Sequence, residues 1–258
     1  MSLIGFDDNS YLELIALQDD RDQPGDTWAW ADHIAADGGP AAWCVRTTDI
    51  VAETTRIVEA GFPVAGPQTG SRRRSDGRTV EWDRTELGRP ARRLLLPFII
   101  RDRTPLARRI PTTPSVADSP LTGIGEVVLA VPDMQAAVSM YRQLYRFPQP
   151  TTAQVSGFGQ VGSVPGQPVS FATPDTNTNT ELNTDTDSNW LADRLERFRP
   201  GPCACLLATP DLAAARDVLP LQDPVDWPRG RVAFVESNRL GRWLGVIERP
   251  DSAKSGLN

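Results

Sequence analysis

The sequence predicts an α+β fold of tandem strand-helix-strand-strand-strand (βαβββ) modules arranged as two domains. Three observations predict it: a recurring strand-Asp-helix unit, extended segments after each helix, and a length of 258 residues that suits two ordinary domains. An apolar content of 40% and a charged content of 23% are those of a chain that folds rather than of a disordered one.

The recurring unit is read in AAWCVRTTDIVAETTRIVEAGF, GEVVLAVPDMQAAVSMYRQLYRF and CACLLATPDLAAARDVLPL. Each is a short apolar strand, a turn closing on Asp49, Asp133 or Asp211, and an amphipathic helix. The aspartates, 84 and 78 residues apart, stand at expected helix N-caps. There a carboxylate accepts from otherwise unpaired amides and meets the positive end of the helix dipole.

Extended segments complete the modules: FPVAGP, RTVEWDRTEL and RRLLLPFII after the first helix, QVSGFGQVGSV and PVSFATP after the second, RVAFVES and RWLGVIE after the third. The opening SLIGFDDNSYLELIA reads as the closing hairpin of a further module whose leading strand and helix are absent, so the first module is expected to be truncated at the N-terminus. A sheet without its leading strand exposes unpaired backbone, which predicts a partner's strand, a homodimer or marginal stability unless the chain starts upstream. The expected domains are residues 1–102 and 124–258, joined by a linker, 103–123, rich in Pro, Thr and Ser. TPDTNTNTELNTDTDSN, 173–189, reads as a flexible polar loop; its Asp and Asn oxygens lack the spacing and turn glycine of a calcium loop.

Composition excludes several function classes. No apolar run approaches a membrane span, and the amino terminus lacks a secretory signal, so a cytoplasmic protein is expected. A net charge of −6 argues against nucleic acid as a partner. Residues 71–109 carry 12 Arg against 5 acidic residues, and a salt-bridged face is the preferred account. Cys44, Cys203 and Cys205 form no disulfide framework, and the lone histidine, His33, sits in a polar connection, so a zinc site is not expected. In RRRSDGRTVEW, Asp76 and Gly77 supply a hairpin turn, with Arg74 near its tip and Trp82 in the sheet. No phosphate loop, HExxH motif or nucleophile elbow is present.

Strand alternation places Glu126, Val128 and Ala130 on one face and the bulkier Val127, Leu129 and Val131 on the other, which should pack under the helix. The same register puts Ala42, Cys44 and Arg46, and Ala204, Leu206 and Ala208, on the open faces of their modules. Glu126 is the one charged head among the three equivalent positions, each seven residues before its aspartate.

These units, with YLELIA, RRRSDGRTVEW and LPFIIRD, make the chain resemble the glyoxalase-like proteins of the vicinal oxygen chelate superfamily. The resemblance implies paired modules curling into cup-shaped half-barrels around a small-molecule ligand cavity. It also implies, in metal-using relatives, a His or Glu at the head of each leading strand and a Glu on each last strand holding a divalent ion (Mg, Mn, Fe or Zn). Glu126 stands at such a head, and Glu13 and Glu248 fall on candidate last strands, Glu248 in the cup of Glu126. Ala42 and Ala204 depart from the pattern, so no metal is certain: two carboxylates, Glu126 and Glu248, bind a hard ion only weakly.

Other roles follow from the residues themselves. Glu126 beside Val128 suits a general base with a pKa raised by apolar neighbours, or a solvated strand end. Cys44 beside Arg46 suits an anionic ligand, a nucleophilic thiolate, or a buried thiol by a structural Arg. The expected function is binding or slow transformation of a small organic molecule in a cup, without a complete metal site. The alternatives are a metal-dependent lyase, isomerase or dioxygenase, and a non-catalytic structural or interaction protein with side-chain-filled cups.

Overall fold

The computed structural model describes residues 2–16, 33–74, 76–88, 95–175 and 190–249. Most of the expected polar loop, 176–189, lies outside the described residues. A hairpin, β1 (Ser2–Gly5) and β2 (Tyr11–Leu14), opens the chain. Three βαβββ modules follow. The first is β3 (Cys44–Arg46), α1 (Ile50–Glu59), β4 (Val64–Arg73), β5 (Thr79–Leu87) and β6 (Phe98–Asp102). Two one-turn helices, α2 (Leu106–Arg109) and α3 (Pro114–Ala117), occupy the segment expected as a linker. The second module is β7 (Gly123–Ala130), α4 (Met134–Tyr145), β8 (Thr151–Val155), β9 (Gly159–Ser163) and β10 (Val169–Thr173). After helix α5 (Trp190–Phe198) comes the third: β11 (Gly201–Thr209), α6 (Leu212–Val218), β12 (Val225–Trp227), β13 (Gly230–Phe234) and β14 (Leu244–Glu248).

All three modules share one wiring, in which the leading strand pairs in parallel with its own fourth strand: β3 with β6, β7 with β10, β11 with β14. The other neighbours are antiparallel. The second and third modules join through the antiparallel pair β7 and β11 into one eight-stranded sheet, ordered β12-β13-β14-β11-β7-β10-β9-β8. The first module forms a separate four-stranded sheet, β3-β6-β5-β4.

Each helix starts where its aspartate predicts. Asp49 accepts from the amides of Val51 and Ala52, Asp133 from Ala136, and Asp211 from Ala214, at 3.0 to 3.1 Å. These bonds satisfy donors that the first helical turn cannot pair internally.

The helix-facing sides of the first two modules form one core. Ile50 and Ile57 of α1, Leu87 and Ile99 of the smaller sheet, and Leu129, Val131, Val138, Tyr141 and Leu144 of the second module are all buried in it. Polar contacts cross the same junction: Tyr141 donates its hydroxyl to the Leu95 carbonyl at 2.6 Å, and Gln143 donates to the Ala60 carbonyl at 2.8 Å. Each such buried aliphatic or aromatic side chain contributes roughly 1.5–3 kcal/mol, so the α1 and α4 helices hold the two sheets together more firmly than a flexible linker would.

His33 is also a packing residue. It is buried, sets its ring edge-on to Phe198 with centroids 4.8 Å apart, and lies so close to Gly38 that a Cβ there would meet the imidazole at 2.6 Å. Burial, reinforced by repulsion from Arg194, lowers its pKa from 6.5. Among the described residues no helix is long and apolar enough to cross a membrane.

Two outcomes follow. Asp133→Ala removes one cap and lowers stability by about 1 kcal/mol in urea unfolding. The imidazole of His33 titrates below 6.5 in proton NMR. Because the folded pKa is depressed, its contribution to stability is present above the unfolded value and is lost as the pH falls through the folded one.

Candidate functional site

Alternation along β7 separates two environments. Val127, Leu129 and Val131 pack against the helix side, whereas Val128 and Ala130 turn to the opposite face with Ala204, Leu206, Ala172, Val161, Val232 and Ile247. That face is the concave side of the eight-stranded sheet, and side chains fill it. Phe158, from the β8–β9 turn, stacks on Phe234 at 5.1 Å and meets Trp227 and Trp190 edge-on at 5.5 and 5.0 Å. Val128 is completely buried there and lines no opening.

Glu126 lies at the centre of this filled cup, with no exposed surface. Its Oε2 accepts from Trp227 Nε1 at 2.8 Å, from Ser170 Oγ at 2.5 Å and from Ser163 Oγ at 3.5 Å. Its Oε1 accepts from the Arg249 guanidinium at 2.5 Å. A buried carboxylate is costly unless paired and hydrogen-bonded, and here it is both. Neither the solvated strand end nor a base at a cavity mouth describes this group.

Glu248 does not join it. Glu126 pairs across β7 and β11 with Leu206, and Leu206 pairs with Gly245, so Gly245, Ile247 and Arg249 share the cup face. Glu248 falls on the opposite face, where it accepts from the Leu212 amide at the start of α6 at 3.3 Å. The expected pair of metal-binding carboxylates is therefore divided by the sheet. A strand packs both sides of itself, and register decides which of two adjacent residues enters the cup.

The donor set at Glu126 does not fit a divalent ion. Trp227 offers only a donor and Arg249 is itself a cation, and the two serine hydroxyls add fewer oxygens than a hard ion takes. Among the described residues, no group of three or more His, Cys, Asp or Glu is placed to hold a metal.

The hairpin and the smaller sheet build the second candidate site. Tyr11 of β2 places its hydroxyl 3.7 Å from Cys44 Sγ and accepts from Arg109 at 3.1 Å. The Arg109 guanidinium lies over the Tyr11 ring at 5.1 Å and near the Trp82 ring at 5.9 Å. Trp82 in turn covers Gly70, where any Cβ would meet the indole at 2.8 Å. Asp102, at the end of β6, pairs with Arg109 and, at 3.5 Å, with Arg46, which also donates to the Asn9 carbonyl at 2.5 Å. Asp83 accepts from Arg101 and Arg103, each at 2.8 Å. Arg103 and the other donors hold its carboxyl below the usual carboxylate range.

Beyond the carboxyl ends of β3 and β6 lies an open cleft of about 910 Å³. Asn9, Arg46, Thr47, Arg101, Asp102 and Arg103 are among its lining residues. Asp102 stands in that lining against the guanidiniums of Arg46, Arg101 and Arg103, so the cleft carries more positive charge than it neutralises. Glu13 is exposed on β2, and its charge is one minor cause that raises the Cys44 pKa. Burial is the largest cause, and it outweighs Arg109 and Arg46, so Cys44 is held as a thiol rather than activated. Sequence reading missed Tyr11, Asp102 and Arg109. Asp102 and Arg109 lie in the Arg-rich run 71–109 read as a salt-bridged face, and Tyr11 opens YLELIA.

The family described as Glyoxalase-like domain matches residues 2–145. No curated protein matches the sequence. Among solved structures, a hypothetical protein from Staphylococcus aureus is similar at 11% identity over 79% of this chain, with a TM-score of 0.46; the chain covers 64% of that protein's length. Methylmalonyl-CoA epimerase from Mycobacterium tuberculosis is similar at 20% identity over 51% of this chain and 90% of that one, with a TM-score of 0.38. BphC, a halotolerant catechol dioxygenase, is similar at 13% identity over 81% of this chain and 68% of that one, with a TM-score of 0.39.

Burial pushes the thiols of Cys203 and Cys205 up to about 12. Native protein treated with iodoacetamide at about pH 8, near the ordinary thiol pKa, leaves both unmodified in mass spectra, and denaturant exposes them to alkylation.

Proposed function

Since the chain belongs to the glyoxalase-like domain family, we propose that it binds a small organic anion in the cleft between its opening hairpin and its first module, without requiring a metal ion. One observation carries this reading: three guanidiniums, Arg46, Arg101 and Arg103, line the cleft beside a single carboxylate, Asp102, which is already shared by Arg46 and Arg109. A carboxylate or phosphate group arriving there completes the charge balance. The planar fork of Arg46 or Arg103 suits bidentate contact with either group.

Tyr11 and Arg109 lie behind the cleft rather than in its lining. Arg109 is almost fully buried, donates to Tyr11 and pairs with the lining residue Asp102, so these two fix Asp102 from behind. The neutral Cys44 thiol beside them supports binding over nucleophilic chemistry.

A second reading, a non-catalytic interaction protein, is favoured by the filled eight-stranded cup, in which Phe158, Trp227 and Phe234 occupy the concave face. The two readings separate at the cleft, because an interaction protein has no need of a ligand there.

Isothermal titration with a panel of small mono- and dicarboxylates and inorganic phosphate distinguishes them. Binding by at least one anion is expected, with affinity falling as salt rises and with about a tenfold loss in Arg46→Ala, as for one charge-assisted bond. The corresponding neutral amides should not bind. An anion panel that gives no heat at any salt concentration refutes the reading.

A further inference from the structure

The eight-stranded cup buries an ion pair that none of its neighbours explains as simple packing. Arg249 follows directly on β14, turns back into the cup and donates to Glu126 at 2.5 Å and to the Arg229 carbonyl at 3.1 Å. Its side chain is 15% exposed, against none for Glu126. Arg229 lies close by, donating to the Val164 carbonyl at 2.8 Å; burial, followed by repulsion from Arg249, lowers its pKa. One guanidinium thus pairs with the carboxylate and a second lies near enough to feel both charges. The remaining oxygens within reach form a chain, in which Ser163 Oγ donates to Ser170 Oγ at 2.7 Å and Ser170 Oγ donates to Glu126 at 2.5 Å.

We propose that Arg249 is a built-in counterion that takes the place of a divalent cation on Glu126, so that the cup is closed to metals by its own charge. The guanidinium supplies the positive charge that a buried carboxylate requires, and it supplies it without a coordination shell. A divalent ion approaching the same oxygen meets Arg249 on it and Arg229 beside it, and like charges at that distance repel strongly where water is excluded. Removing the Arg249 guanidinium reverses the situation. Glu126 then keeps only Arg229 nearby, whose guanidinium donates to the Val164 carbonyl, and with the two serine hydroxyls it forms a small oxygen cluster left without its direct counterion, which attracts a hard cation.

This role is independent of the anion cleft, since it concerns the other sheet. It also differs from ordinary stabilisation by a salt bridge, which predicts a loss on mutation but no change in ion response.

The test is thermal unfolding of the full chain in EDTA and in millimolar Mn²⁺ or Mg²⁺, read for wild type, Arg249→Met, and the double variant Glu126→Gln/Arg249→Met. Wild type should melt at the same temperature in either condition. Arg249→Met leaves a charge buried without its partner and should melt about 10 °C lower in EDTA, with part of that loss restored by Mn²⁺. The double variant removes both charges and should recover stability while ignoring the ion. Should Arg249→Met fail to fold, Arg249→Lys carries the test, because a lysine keeps the charge and must keep the indifference to metal. A rise in melting temperature with Mn²⁺ in wild type or Arg249→Lys overturns the proposal, as does an Arg249→Met that folds and ignores the ion.

Discussion

A β-strand sends successive side chains to opposite faces, and β7 is buried on both. That single constraint organises the molecule. One face, Val127, Leu129 and Val131, joins the core shared with α1 and α4, while the other, Glu126, Val128 and Ala130, enters the eight-stranded cup. Because Glu126 itself has no exposed surface, this carboxylate at the head of the strand must be neutralised from within the protein. Trp227, Ser170 and Arg249, from three different strands or strand ends, converge on it for that reason.

The two halves of the molecule handle charge differently as a result. In the eight-stranded cup the carboxylate is enclosed, and its partners converge on it. At the smaller sheet the carboxylates sit near a rim that water reaches, and guanidiniums outnumber them. A closed pair contributes structure; an open excess of positive charge contributes a place for an anion. The same residue types, Arg with Asp or Glu, therefore serve two purposes, and depth within the sheet separates them.

Much of this was legible in the sequence. The βαβββ order followed from the repeated strand-Asp-helix unit, and Asp49, Asp133 and Asp211 cap the helices they announced. The slim and bulky flanks of β7 were also assigned correctly from alternation alone. The fate of Glu248 was not legible, and the reason is physical. In LGVIE both Val246 and Ile247 are buried, one against α6 and one in the cup. A strand buried on both faces reads as a continuous apolar run, so its pattern says nothing about which of Glu248 and Arg249 points inward. Only the pairing of Glu248 with Thr209 decides it.

Close approach is the other thing that pattern cannot show. Gly125, one residue before Glu126, lies where a Cβ would strike the Ile247 side chain at 2.4 Å, next to an irregularity in the β7–β11 register. The missing side chain leaves room for the Ile247 side chain to reach across β11, and Arg249, two residues beyond Ile247, comes within reach of the carboxylate. A side chain at 125 would have to displace that of Ile247, two residues from the cation of Glu126. The glycine that opens GEVVLAVPDMQAA and the arginine 124 residues later thus form one device, linked by the sheet rather than by any spacing in the chain.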